Sequence, residues 1–161
     1  MRKAANPLLD GYIGFPIILD ANVLLLQLCA HFDPELVEKF KCLNTFSGED
    51  VLLLQRTLES FSAICATPHV LTEVSNLANA LPQWRKDDWA IHFANQIELV
   101  DEKWTSAKTI SQNPAMYLGL TDAALCALAS THVILTIDFP LSNYLESKKL
   151  KIINFTHLRS L

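Results

Sequence analysis

Short apolar runs alternate with longer stretches of helical periodicity along this chain. PIILD (16–20) is short, rich in β-branched residues and bounded by turn-type residues, which predicts a buried strand. A helix from about Asn22 to His31 follows almost at once. DPELVEKFKCL (33–43) opens with Asp33 as an N-cap, Pro34 at the first helical position and Glu35 in the first turn, which predicts a second helix. In GEDVLLLQRTLESFSA (48–63), Val51, Leu54, Leu58 and Phe61 recur on one helical face. ICAT (64–67) reads as a strand stopped by Pro68. HVLTEVSNLANAL (69–81) reads as a helix on Val70, Val74, Leu77 and Leu81. DDWAIHFANQI (87–97) is helical, and IELVD (97–101) is expected to be a strand. TDAALCALAS (121–130) predicts a helix, HVILTID (132–138) a strand and KIINF (151–155) a last one. Such alternation points to an α/β fold with a parallel sheet.

On that map four acids sit where strands end or helices begin. Asp20 closes the first strand, between two apolar runs. Glu73 lies early in the helix after ICAT, Asp122 opens TDAALCALAS, and Asp138 ends VILTID. In a parallel α/β sheet the carboxyl ends of strands and the amino ends of the following helices share one edge, where ligands bind. All four are therefore expected at one rim. Each also has a plain structural reading: Asp122 as an N-cap, Glu73 as a solvated helix residue, Asp138 as a turn former. Together they would repel one another strongly unless a cation were present. Hard divalent ions such as Mg²⁺ or Mn²⁺ take oxygen ligands of this kind, and phosphodiester hydrolysis is the chemistry that suits them.

Composition narrows the setting. The chain has 161 residues, half of them apolar, with only 4 Gly and 7 Pro, which suits one compact domain. No apolar run reaches membrane-spanning length and the first residues form no clean signal peptide, so a cytoplasmic protein without a membrane partner is expected. The four cysteines form no C-x-x-C pair, which argues for reduced thiols over a zinc site. The net charge of −4 argues against a broad nucleic-acid-binding face. Set the four rim acids aside, however, and thirteen acids remain against thirteen Lys and Arg, so the body is neutral. Local phosphate contact then falls to Arg85 and Lys86, read as a loop in QWRKDD, and to Lys148 and Lys149. Trp84, Trp89 and Trp104 are either base-stacking or core residues. His69, four residues before Glu73, shares its helix face.

ILDANVLL, TPHVLTEVSNL, LGLTDAALCALA and VILTIDF, in that order, resemble the successive signature segments of the PIN-domain family, which includes the VapC-type toxins of toxin–antitoxin pairs. The resemblance runs from about residue 16 to 155. It implies a three-layer α/β/α sandwich with a five-stranded, mainly parallel sheet. It also implies an endoribonuclease dependent on one or two Mg²⁺ or Mn²⁺ ions. Asp20, Glu73, Asp122 and Asp138 would be its catalytic and metal-holding acids. Asn22, two residues after the first Asp, would support the site unless it caps the helix. Thr136 would hold a carboxylate or a water, and Thr121 is either a supporting group or an N-cap. Residues 1–15 stand outside the pattern as an N-terminal arm before one domain over 16–161. Pro140 and the long connection before ICAT also depart from it.

Two other readings compete. A PIN-like module can keep the fold and bind RNA or protein without cleaving. Alternatively, Asp20 could be a phosphoacceptor nucleophile. Such domains pair that Asp with a strand-end Lys, whereas the strands here end in Asp138 and Asp101. The resemblance further implies RNA as substrate and an antitoxin as protein partner. The leucine-rich first helix (Leu24, Leu25, Leu26, Leu28) offers apolar surface for that partner or for a homodimer if the core does not take it.

Overall fold

The computed structural model describes residues 7–160. Residues 1–6 of the expected arm and Leu161 lie outside the described residues. Five strands form one sheet in the order β3-β2-β1-β4-β5, every pairing parallel. They are β1 (Ile17–Leu19), β2 (Ile64–Ala66), β3 (Asp101–Glu102), β4 (Val133–Thr136) and β5 (Ile152–Asn154). β1 and β4 are apolar almost throughout and wholly buried, as strands covered on both faces must be. The helices are α1 (Ala21–Phe32), α2 (Leu36–Lys39), α3 (Gly48–Leu58), α4 (Pro68–Ala78), α5 (Gln83–Leu99), α6 (Ala107–Ile110), α7 (Leu120–Leu128), α8 (Phe139–Ser147) and α9 (Phe155–Leu158). Right-handed crossovers in this strand order put α1, α4 and α5 over one face and α7 and α8 over the other. The result is a three-layer α/β/α sandwich. Among the described residues no helix is long and apolar enough to cross a membrane.

Several boundaries differ from the pattern, each for a local reason. The helix expected over 33–43 is broken into α2 and a 3₁₀ turn at Lys41–Leu43, because Phe40 turns extended. That break lets Val37, Phe40 and Leu43, spaced three apart, all reach the core. Asp33 is no N-cap but the C-cap of α1, its backbone N–H donating to the Cys29 carbonyl, and its carboxylate accepts from the Glu35 N–H at 3.1 Å. The helix expected to end near 97 runs to Leu99, since Trp89, Phe93 and Ile97 continue one face at spacing four. Only two residues are then left for the edge strand β3. Gln83 to Lys86, read as loop, form the first turn of that helix.

All four leucines of α1 named above are at most 5% exposed, packed between the sheet and neighbouring helices. The core takes the whole surplus, and α1 presents no leucine face to a partner. At the other end of the chain, residues 7–15 are tied down. Leu9 joins the core, Gly14 N–H donates to the Ser60 carbonyl, and Ser62 N–H donates to the Phe15 carbonyl. The four cysteines are free thiols, three of them buried.

Candidate functional site

Strand order decides where a site can form. The chain leaves β1 toward β2 on one side and later returns to β4 on the other, so the crevice beyond the carboxyl ends of β1 and β4 is the switch point. Register then sets the chemistry. Leu19 pairs with Leu135, which brings the next residues, Asp20 and Thr136, side by side. The Thr136 hydroxyl donates to Asp20 Oδ2 at 2.7 Å, and accepts from the Asp138 N–H at 2.9 Å. One hydroxyl therefore links the ends of both strands.

Both strand-end acids also begin helices. Asp20 caps α1, its Oδ1 accepting from Ala21 N–H at 2.7 Å. Asp138 caps α8, its Oδ1 accepting from Leu141 N–H at 2.7 Å, with Pro140 in the first turn where its missing N–H costs nothing. The expected departure at Pro140 is thus a helix start. Asp122 lies in the first turn of α7, whereas Glu73, expected early in its helix, is the sixth of the eleven residues of α4, beyond the first turn. Asp20, Asp122 and Asp138 thus stand at the amino ends of α1, α7 and α8, whose partial positive charge favours carboxylates there. Asn22 is the second residue of α1 and Asp20 is the cap, so the capping alternative for Asn22 falls away. Thr121 is no cap either. Gly119 caps α7, at φ 121° and ψ 162°, a region open essentially to glycine alone.

Asp20, Asn22, Glu73, Thr121, Asp122 and Asp138 line one pocket of about 200 Å³, together with Leu118, Gly119 and Leu120. Asp20 is only 6% exposed, and its burial pushes its carboxyl above the ordinary carboxylate range. Its bonds to Thr136 and Ala21 act the other way, and the charges of Glu73 and Asp138 add to the rise. Asp122 is pushed up to about 7, first by burial, then by Asp20, Asp138 and Glu73. Mutual repulsion thus reaches across the whole pocket. Coordination does not: among the described residues no three His, Cys, Asp or Glu side chains gather closely enough to hold one ion. The two facts agree because carboxylates still repel at roughly 4–6 Å, whereas ligand oxygens must lie about 2 Å from an ion. Glu73, exposed on α4, stands farthest from burial. The donor set is all hard oxygen and negatively charged, which suits Mg²⁺ or Mn²⁺ by chemistry. The side chains would have to draw inward to close a sphere.

The cations proposed from sequence are elsewhere. Arg85 pairs with Asp33 (Nη2 to Oδ2, 2.7 Å) and stacks on Phe32 and Trp84, just past the far end of α1 from Asp20. That helix has 12 residues, a length of roughly 18 Å. Lys86 lies beside it in α5. Lys148 and Lys149 follow the carboxyl end of α8, which leads away from Asp138. Lys148 sits over the Tyr144 ring, and exposed Lys149 has φ 56°. His69, also on α4, is absent from the pocket wall, and its buried Nδ1 has no partner. Trp89 is core, while Trp84 and Trp104 are about three-quarters exposed.

Sequence reading missed Gly119, Tyr117 and Phe139. Tyr117 is 75% exposed two residues before Gly119, and Phe139 is 51% exposed directly after Asp138. Their only sequence signal is adjacency to the pocket segments. Comparison with family models, with curated proteins and with solved structures returned no match.

Proposed function

We propose that this chain is a PIN-type endoribonuclease that cleaves single-stranded RNA and depends on Mg²⁺ or Mn²⁺. The observation that carries the reading is the shared pocket of four carboxylates at the switch point, where burial and like charges hold Asp122 protonated up to about 7. Such an arrangement is costly for a protein that never meets a cation there. Asp20, Glu73, Asp122 and Asp138 would hold the ion, with Asn22 beside them. When bound, it supplies charge neutralisation for a phosphodiester and acidifies an attacking water.

The remaining work belongs to the chain itself. Thr136 and the Ala21 N–H fix Asp20, and the Leu141 N–H fixes Asp138, so two of the four acids are oriented before any ligand arrives. Asp122, pushed up to about 7 by burial and its neighbours' charges in the metal-free pocket, would give up its proton when a cation binds. Exposed Tyr117 and Phe139, each next to a pocket residue in the chain, would offer flat faces to bases. RNA held there would owe little to Arg85, Lys86, Lys148 and Lys149, whose places lie beyond the rim.

The test is cleavage of a labelled single-stranded RNA with Mn²⁺ or Mg²⁺, with and without chelator, alongside a thermal-shift titration of the same ions. Cleavage abolished by chelator, and a melting temperature raised by millimolar metal, are the expected results. The ungathered side chains favour one second reading, a PIN-like module that binds without cleaving. Binding of the RNA with no cleavage in any metal would select it.

A further inference from the structure

On the face of the sheet that carries α1, a second cavity of about 380 Å³ opens between α1, α5 and the amino ends of β2 and β3. Its volume falls within the range of small-molecule sites. Leu24, Leu28, Ile64, Leu71, Phe93 and Ile97 make its wall apolar. Four polar side chains share that wall: Gln27, His31, Gln96 and Asp101. Asp101, at the mouth, is already neutralised: its Oδ2 takes Lys103 Nζ at 2.6 Å and the Cys65 thiol at 3.8 Å. Gln27 is different. It projects from α1 into the same wall, and its amide Oε1 is buried with no hydrogen-bond partner.

Buried side-chain acceptors are almost always paired, and leaving one unpaired in an apolar setting is unfavourable. Leucine at position 27 would fill similar space with no such penalty. The terminal amide torsion of glutamine is broad, so a modest rotation can aim the carbonyl at a guest.

We propose that this cavity binds a small apolar molecule bearing one N–H or O–H donor, with Gln27 as its polar anchor. The apolar wall holds the body of the ligand, and the donor completes the orphaned carbonyl. The site lies on the outer, β2–β3 side of the sheet, and the proposal does not depend on the nuclease reading.

Two probes of one shape test it: indole, which has an N–H donor, and benzothiophene, which has none. Binding to the full chain is followed by calorimetric titration. Wild type should bind indole about tenfold more tightly, the worth of one hydrogen bond to a buried acceptor. In Gln27→Leu that preference should disappear while benzothiophene still binds. Ala63→Phe, on the cavity wall, should block both probes. Equal binding of the two probes to wild type, an unchanged preference in Gln27→Leu, or no binding of either at millimolar concentration would overturn the proposal.

Discussion

The helix α1 links two pockets that break opposite rules. At its amino end, every strand-end acid has a fixed partner, yet the pocket holds more negative charge than it can keep ionised at neutrality. Along its later turns the cavity is uncharged in effect, but one polar atom, Gln27 Oε1, has no partner at all. The first pocket lacks positive charge; the second lacks a hydrogen-bond donor. Each deficit names the chemistry of what would fill it, and neither can be removed by the surrounding protein without losing the feature. Substitutions that erase each deficit should therefore leave the free protein at least as stable while removing the binding contribution that the deficit supplies.

The largest effect is expected at Asp122. Asp122→Asn keeps the shape of the side chain and removes one of the four charges. Cleavage of single-stranded RNA should fall by at least about 100-fold, as when one electrostatic group of an active site is lost. The same variant should unfold at higher urea than wild type at pH 8, because it no longer buries a carboxylate among three others. Undiminished cleavage by Asp122→Asn, or a loss of stability in that variant at pH 8, would break the reading of this pocket as a charge-deficient site.

The pH dependence of the metal-free protein carries the same information. Asp122 titrates near 3.8 when unfolded and at about 7 when folded, so between these values the folded chain binds more protons. Stability from this group is complete below pH 3.8 and is lost as pH rises toward 7. Asp20, also raised, contributes in the same sense. In chelator, urea midpoints should decline across this window, and Asp122→Asn should flatten the decline. Divalent cations should reverse it above pH 7, where they bind the ionised pocket best.

How much of this the sequence could reveal depended on the range of each cause. The strands β1 and β4 and the placing of the four acids were legible because apolar runs and strand-end acids are local signals. The parallel α/β class followed from their alternation. Partner choice was legible only in outline: the resemblance implied that Thr136 holds a carboxylate or a water, and the carboxylate is that of Asp20. Nothing local says that Thr136 sits beside Asp20, because that follows from a register 116 residues apart in sequence. Arg85 and Lys148 read as surface cations, but which rim they reach depends on the direction their helices run. Gln27 gave no signal at all, since its oddity is the lack of a partner in three dimensions. The break after α2 and the shortness of β3 were hidden for a related reason: core packing overrode regular periodicity there.

Backbone and hydroxyl substitutions separate the supports of the rim from its charge. Gly119→Ala should cost about 1–3 kcal/mol, because alanine is strained at φ 121°, with no steric clash to blame. Its readout is the urea midpoint, and a variant as stable as wild type would remove Gly119 from the set of residues that place Asp122. Phe139→Ala should leave stability nearly unchanged, since the ring is half exposed, and should weaken RNA binding by about 1–3 kcal/mol if a base stacks there.

The smallest effect, and the most discriminating, is a matched pair. Thr136→Val and Gln27→Leu each replace a polar side chain by an apolar one of similar size, one at each end of the comparison. Thr136 serves two partners, so valine leaves Asp20 without its hydroxyl donor and the Asp138 N–H without an acceptor. That change should destabilise by about 1–3 kcal/mol. Gln27 Oε1 serves no partner, so leucine removes a desolvated acceptor and adds apolar contact in the same wall. Its effect should be neutral or stabilising, by no more than about 1 kcal/mol. Chemical unfolding of both variants at one pH reads the two signs directly. Opposite signs mean that polarity at the rim is structural support while polarity at Gln27 waits for a ligand. If Gln27→Leu were destabilised as much as Thr136→Val, Gln27 would have a partner after all, and the contrast between the two pockets would collapse.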